Sequence, residues 1–173
     1  MAHPDIELLN TTYEAVPAVD LPKVGGGLAR FIDEGSIDFA YGSYTKLSSS
    51  KALTKAASKV DLSTFVGNNC TSSSHGIKIN RAGVYLVWAS AYLTTGYAAL
   101  DRVHIQVLQN STVVCEGMIE MPEASSYITC PVSPIIVTAS VNDVFYMYAY
   151  NQTNARGSVG TKEGCGIFVV QIN

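Results

Sequence analysis

Val144-Phe145-Tyr146-Met147-Tyr148-Ala149-Tyr150 and Gly166-Ile167-Phe168-Val169-Val170-Gln171-Ile172 decide the fold class of this 173-residue chain. Successive side chains of a strand point to opposite faces, so a strand with one wet face alternates apolar and polar residues. These two segments carry large apolar residues at both parities. Both faces are therefore expected to be covered, one by the core and the other, in so short a chain, by further copies of the same protein. Tyr146, Tyr148 and Tyr150 share one face of the first segment. Tyrosine joins a large apolar area to a polar tip, which suits a subunit interface or a sugar-stacking platform. The interface is the preferred reading, lined by Tyr146, Tyr148, Phe168 and Val170.

Outward from these segments the chain reads as short strands separated by turns. Strands are expected at 37–45, 60–66, 76–80, 84–95, 102–109, 112–121, 126–139, 143–152 and 165–172. Gly67-Asn68-Asn69, Arg81-Ala82-Gly83, Asn110-Ser111, Pro122-Glu123 and Asn142-Asp143 supply the punctuation. Thr71-Ser72-Ser73-Ser74-His75-Gly76 is a loop by composition. Lys51 to Lys59 (KALTKAASK) holds helix formers and is open between a helical turn and an irregular strand. Many strands without a long helix imply an all-β antiparallel sandwich or barrel. There is no internal repeat.

The first thirty-five residues differ. Pro4, Pro17 and Pro22 and the triplet Gly25-Gly26-Gly27 oppose regular structure. Yet Ile6, Leu8, Leu9, Tyr13, Val16, Val19, Leu21, Leu28, Phe31 and Ile32 are too apolar for a solvated tether. Residues 1–35 are therefore expected to be an extended arm that lies on a surface, and 36–173 the globular domain.

Composition excludes several classes. A net charge of −3, with no basic run, argues against a nucleic-acid partner. No apolar run approaches the ~20 residues of a membrane span. Met1-Ala2-His3-Pro4-Asp5 is unlike a secretory signal. The four cysteines, 70, 115, 130 and 165, form no CxxC pair and are expected as free, buried thiols of a reducing cytosol. Cys115 and Cys130 could face one another across a hairpin, but the thiol reading is preferred. Charged residues are only 14% of the chain, sparse for the surface of a soluble monomer.

Catalytic chemistry finds no footing. His3, His75 and His104 form no metal-ligand spacing, so neither a metal nor another cofactor is expected. Ser72-Ser73-Ser74-His75 places hydroxyls beside an imidazole in a stretch already read as a loop, and there is no GxSxG elbow. Glu116 and Glu120 share a strand face and read as two solvated carboxylates rather than a glycosidic pair. Gly25-Gly26-Gly27 lacks the lysine and helix of a phosphate loop. No catalytic residue is assigned, and the chain is not expected to be an enzyme.

Gly76-Ile77-Lys78-Ile79-Asn80-Arg81-Ala82-Gly83-Val84-Tyr85-Leu86-Val87 resembles the F-x-x-x-x-x-G-x-Y-x-F segment of the tumour necrosis factor and complement globular-head superfamily. Ile135 to Tyr150 resembles its L-x-x-G-D-x-V-x-L strand pair, with Asn142 in place of the usual glycine, and Cys165 to Val170 its terminal strand. The likeness spans about residues 60 to 172. It implies a jelly roll that associates as a homotrimer through apolar and aromatic strands on the threefold axis. Leu8 to Phe31 is similar to the arms of tailed-bacteriophage head-fibre and capsid decoration proteins. That resemblance implies a virion protein assembled in the host cytoplasm and placed on the outer capsid surface. Tyr13, Val16, Pro17, Val19, Leu21, Pro22 and Phe31 would then contact the major capsid protein. The alternative is a receptor- or glycan-binding tip domain of a phage fibre or bacterial surface protein, whose Trp88, Tyr92 and Tyr97 would stack on a host-surface glycan.

Overall fold

The computed structural model describes residues 39–94, 96–124, 127–161 and 165–172. The expected arm, with Tyr13, Val16, Pro17, Val19, Leu21, Pro22 and Phe31, lies outside the described residues. Phe39–Asn173 form a compact unit. Among the described residues there are thirteen strands and no helix: β1 (Tyr41–Leu47), β2 (Lys51–Ala52), β3 (Ser58–Lys59), β4 (Leu62–Asn68), β5 (Cys70–Ser73), β6 (Gly76–Ile79), β7 (Gly83–Leu93), β8 (Arg102–Gln109), β9 (Thr112–Glu120), β10 (Ile128–Ala139), β11 (Val144–Asn151), β12 (Ser158–Val159) and β13 (Gly166–Gln171).

The strands build two antiparallel sheets. In sheet A, β7 pairs with β10 along one edge and with β13 and then β12 along the other, and β13 continues to β1 and β4. Sheet B runs β5-β6-β11-β8-β9, with β3 also on β11. This is an antiparallel jelly-roll sandwich. Tyr85, Val87, Ala89, Ala91 and Leu93 of β7 turn inward with Ile167 and Val169. Phe145, Met147 and Ala149 of β11 face them from sheet B, with Val103, Ile105 and Val107 of β8. Alternation is strict along β7 and β11, as a pleated strand requires.

Three stretches are redrawn. Lys51 to Lys59, open between a helical turn and an irregular strand, is not helical but forms two short strands, β2 and β3, in which Lys51 pairs with Val159 and Lys59 with Tyr148. The serine-rich stretch is not a loop. Cys70–Ser73 is strand β5, joined to β6 by a two-residue turn in which Ser74 (φ 47°) and His75 (φ 65°) both adopt the left-handed region that such hairpin turns need. Third, Gly67 and Asn68 belong to β4, and the chain leaves sheet A for sheet B at Asn69 alone (φ 51°). The turn at Asn142 is as expected, with φ 77° where a glycine is usual.

Close approaches fix two glycines. β9 crosses β10 at Gly117, where a Cβ would run into the backbone carbonyl of Pro131. Gly157 (φ 79°) lies against the Tyr97 ring, leaving no room for a side chain. β10 itself is irregular. Its register shifts between Val132 and Ile135, with Pro134 inside the irregular stretch and Pro131 just before it.

Candidate interaction surfaces

The two sheets leave two outward faces of different character, more apolar on sheet A and more polar on sheet B. On sheet A the pairing sets Ile136, Leu86, Val170 and Tyr41 side by side across β10, β7, β13 and β1. The next row holds Trp88, Phe168, Ser43 and Val66. Trp88 and Phe168 stack with ring centroids 5.2 Å apart, and Tyr92 stacks on Tyr127 at 6.1 Å. Ile136, Tyr127 and Val66 are each more than half exposed. This is a continuous apolar and aromatic field, of the kind that single soluble domains rarely leave to water.

On sheet B the outward face mixes Tyr146, Tyr148, Tyr150 and the exposed Met118 with polar side chains that tie it together. His104 of β8 pairs through Nδ1 with Glu116 of β9 and through Nε2 with Gln152 Oε1 at 3.1 Å. Its ring stacks on Tyr150 of β11, centroids 4.6 Å apart and planes 13° from parallel. Gln106 donates to Glu116 at 2.7 Å. Burial opposes the Glu116 charge, but the bonds from Gln106 and His104 outweigh it and lower the carboxyl pKa. The Lys59 ammonium lies 5.2 Å above the Tyr146 ring. Glu116 and Glu120 are thus partnered, not simply solvated, since Arg102 Nε bonds Glu120 at 3.0 Å. Beside this cluster opens a shallow groove of about 470 Å³, lined by Leu100, Arg102, Glu120, Gln152 and Thr153.

A buried polar knot supports the groove. Asp101 has no exposed surface and receives Arg156 Nε at 2.7 Å, Arg156 Nη2 at 3.0 Å and the Ala98 amide at 2.9 Å. The Arg156 guanidinium holds the Asp101 carboxyl down at about 2. Asn151 pins the following turn, its Oδ1 accepting from the amides of Thr153 and Asn154 while its Nδ2 donates to the Arg156 carbonyl.

The expected interface set divides. Phe168 and Val170 lie on sheet A's outward face, but Tyr146 and Tyr148 lie on sheet B's, on the other side of the sandwich. Parity within a strand is correct in both cases; which sheet the strand joins is set by long-range pairing. The aromatics suggested for sugar stacking do not form one site either. Tyr97 is buried, its hydroxyl donating to the Ser158 carbonyl at 2.8 Å, while Trp88 and Tyr92 belong to the sheet A field. His75 is engaged as well, its Nδ1 donating to the Leu62 carbonyl at 2.8 Å. The described residues contain no group of three metal-ligating side chains placed to hold an ion. The four cysteines are free, and burial pushes their thiols up to about 11 or, for Cys130, about 12.

No family model matches the chain, and no curated protein matches it by sequence. Solved structures do. Eiger TNF from S. frugiperda is 13% identical, with a TM-score of 0.58, over 79% of this chain and 94% of that one. Murine APRIL at pH 5.0 is 10% identical, with a TM-score of 0.55, over 78% of this chain and 99% of that one. Murine APRIL at pH 8.0 gives a TM-score of 0.56 with the same identity and coverage. At such identities the likeness is one of architecture, and it identifies the described domain as a tumour-necrosis-factor-like jelly roll.

Proposed function

We propose that this protein is a non-enzymatic, homotrimeric virion protein, a capsid decoration or head-fibre protein assembled in the host cytoplasm and set on the outer capsid surface. The observation that carries the trimer is the outward face of sheet A, where Trp88, Phe168, Leu86, Val170 and Ile136 form one apolar field. Three copies packed through this face around an axis remove it from water at once, and the low charge of the chain suits that arrangement. Phe168 and Val170 keep their interface role; Tyr146 and Tyr148, on the opposite face, leave it.

Attachment falls to the arm. Tyr13, Val16, Pro17, Val19, Leu21, Pro22 and Phe31 supply apolar contacts to the major capsid protein, and three arms on one trimer multiply a weak contact into a lasting one. The absence of a basic run fits a protein partner better than the genome.

The test compares full-length protein with protein lacking residues 1–33. Both are expected to sediment as trimers, while only the full-length form binds empty capsids. Decoration by the truncated form would end the arm assignment, and a monomer in both would end the trimer.

A further inference from the structure

The groove on sheet B takes no part in the function proposed above. We infer that it is a binding site for a neutral oligosaccharide, built from Leu100, Arg102, Glu120, Gln152 and Thr153 beside the stacked Tyr150–His104 pair.

Its electrostatics select the ligand class. The Arg102 guanidinium is met by Glu120 at 3.0 Å, so the groove offers hydrogen bonds without net charge. A sulfate, phosphate or carboxylate would gain Arg102 but meet Glu120. A neutral hydroxyl can serve both, accepting from one and donating to the other. The donors are in place. Arg102 spends only Nε on Glu120, and Gln152 spends its carbonyl oxygen on His104. The Arg102 terminal nitrogens, the Gln152 amide nitrogen and the Thr153 hydroxyl proton have no protein partner among the described residues. Thr153 Oγ1 is itself positioned by the Arg102 amide at 3.0 Å.

The apolar part is equally specific. Leu100 is 66% exposed and holds φ at 66°, a conformation that a non-glycine residue adopts only when its surroundings impose it. The imposing contacts are its own amide, donating to the Met121 carbonyl at 2.8 Å, and the buried knot at the next residue, Asp101. A leucine held out at the rim of a polar groove offers contact for the C–H face of a sugar ring. Behind the groove the Tyr150 ring backs His104, which in turn bonds the lining residue Gln152 and so fixes its side chain. The site is thus largely pre-formed and mixes apolar walls with a few polar groups, as small-ligand sites do.

Its position suits presentation. Phe39 lies at one end of the sandwich, its carbonyl accepting from Asn68, with Ala40 bonded to Gln171. The groove opens at the other end, past the start of β8, where Tyr97 and Thr94 bond to Ser158. The chain therefore enters the domain far from the groove.

The test is binding of full-length protein to a printed array carrying neutral hexose and N-acetylhexosamine oligosaccharides beside sialylated and sulfated ones. Saturable binding to a subset of the neutral glycans is expected. It should fall at least tenfold in Gln152→Ala and in Leu100→Gly, which keeps the left-handed backbone, and stay unchanged in the distant Val113→Ala. Sedimentation and thermal melting of the same preparations confirm the fold and report the trimer separately. Three results overturn the site: no binding to any neutral glycan, binding confined to the anionic ones, or binding indifferent to both groove variants.

Discussion

Trp88 and Phe168 stand opposite one another in the β7–β13 ladder and stack nearly parallel, with planes 12° apart, on the outward side of sheet A. Their inward neighbours Val87 and Val169 are fully buried in the core. The two rings therefore add nothing to the interior of the single domain, and their common surface is available to another molecule.

A charge placed in that field should disperse the trimer without unfolding the domain. Ile136 is 62% exposed and lies beside Leu86, so Ile136→Asp should cost the isolated domain no more than about 0.5 kcal/mol. Burying an unpaired carboxylate in the interface should weaken association by a hundredfold or more. Sedimentation equilibrium should show monomer at concentrations where the parent chain is trimeric, with an unchanged far-ultraviolet circular dichroism spectrum. A persisting trimer would move the interface elsewhere.

Acid should attack the Asp101 knot. The folded-state carboxyl lies at about 2, below its ordinary 3.8, so its stabilisation is complete above that ordinary value and is lost as pH falls from about 4 toward 2. The size is about 2 kcal/mol. Asp101→Asn should lower stability at pH 7 by a similar amount and flatten the acid limb of a melting-temperature profile. An unaltered acid limb in this variant would assign the loss to other carboxylates.

Gly157→Ala should be among the most damaging single-methyl additions in the domain. It combines a left-handed backbone with a collision against the Tyr97 ring, itself anchored to Ser158. A loss of about 2–3 kcal/mol is expected in urea unfolding, because strain and overpacking both contribute. Tyr97→Ala in the same background should recover part of it by opening the space.

The thiols should be sluggish. With Cys70, Cys130 and Cys165 buried and their thiols pushed well above the ordinary range, native protein at pH 8 should alkylate slowly. Cys115, the one half-buried thiol, should react first. Mass spectrometry after iodoacetamide treatment gives the order, and uniform rapid labelling of all four would contradict the packing.

Much of this fold was legible because strands write their alternation into the sequence. β8 matches its expected span, Arg102–Gln109, and Asn142 turns where the motif required it. β5 was hidden because Cys70-Thr71-Ser72-Ser73 has a loop's composition, and its turn uses Ser74-His75 instead of a glycine pair. Tyr146 and Phe168 each showed their face but not their sheet, since a strand's partners are fixed by pairing across the whole chain. The cluster of His104, Glu116 and Tyr150 comes from three strands, and only their registers bring it together. The groove had no sequence signal beyond ordinary polar residues near strand ends.

The turn after β11 is clamped twice, by Asn151 at its start and by Arg156 bound to Asp101 at its close. All of those bonds are directed at backbone atoms or at the buried carboxylate, and none relies on the side chains of Gln152 or Thr153. The course of the turn itself therefore survives a change at either position, although Gln152 also accepts from His104 and Thr153 from the Arg102 amide. Such a loop can be diversified, in a lineage or in a library, to recognise new ligands without refolding the domain that carries it.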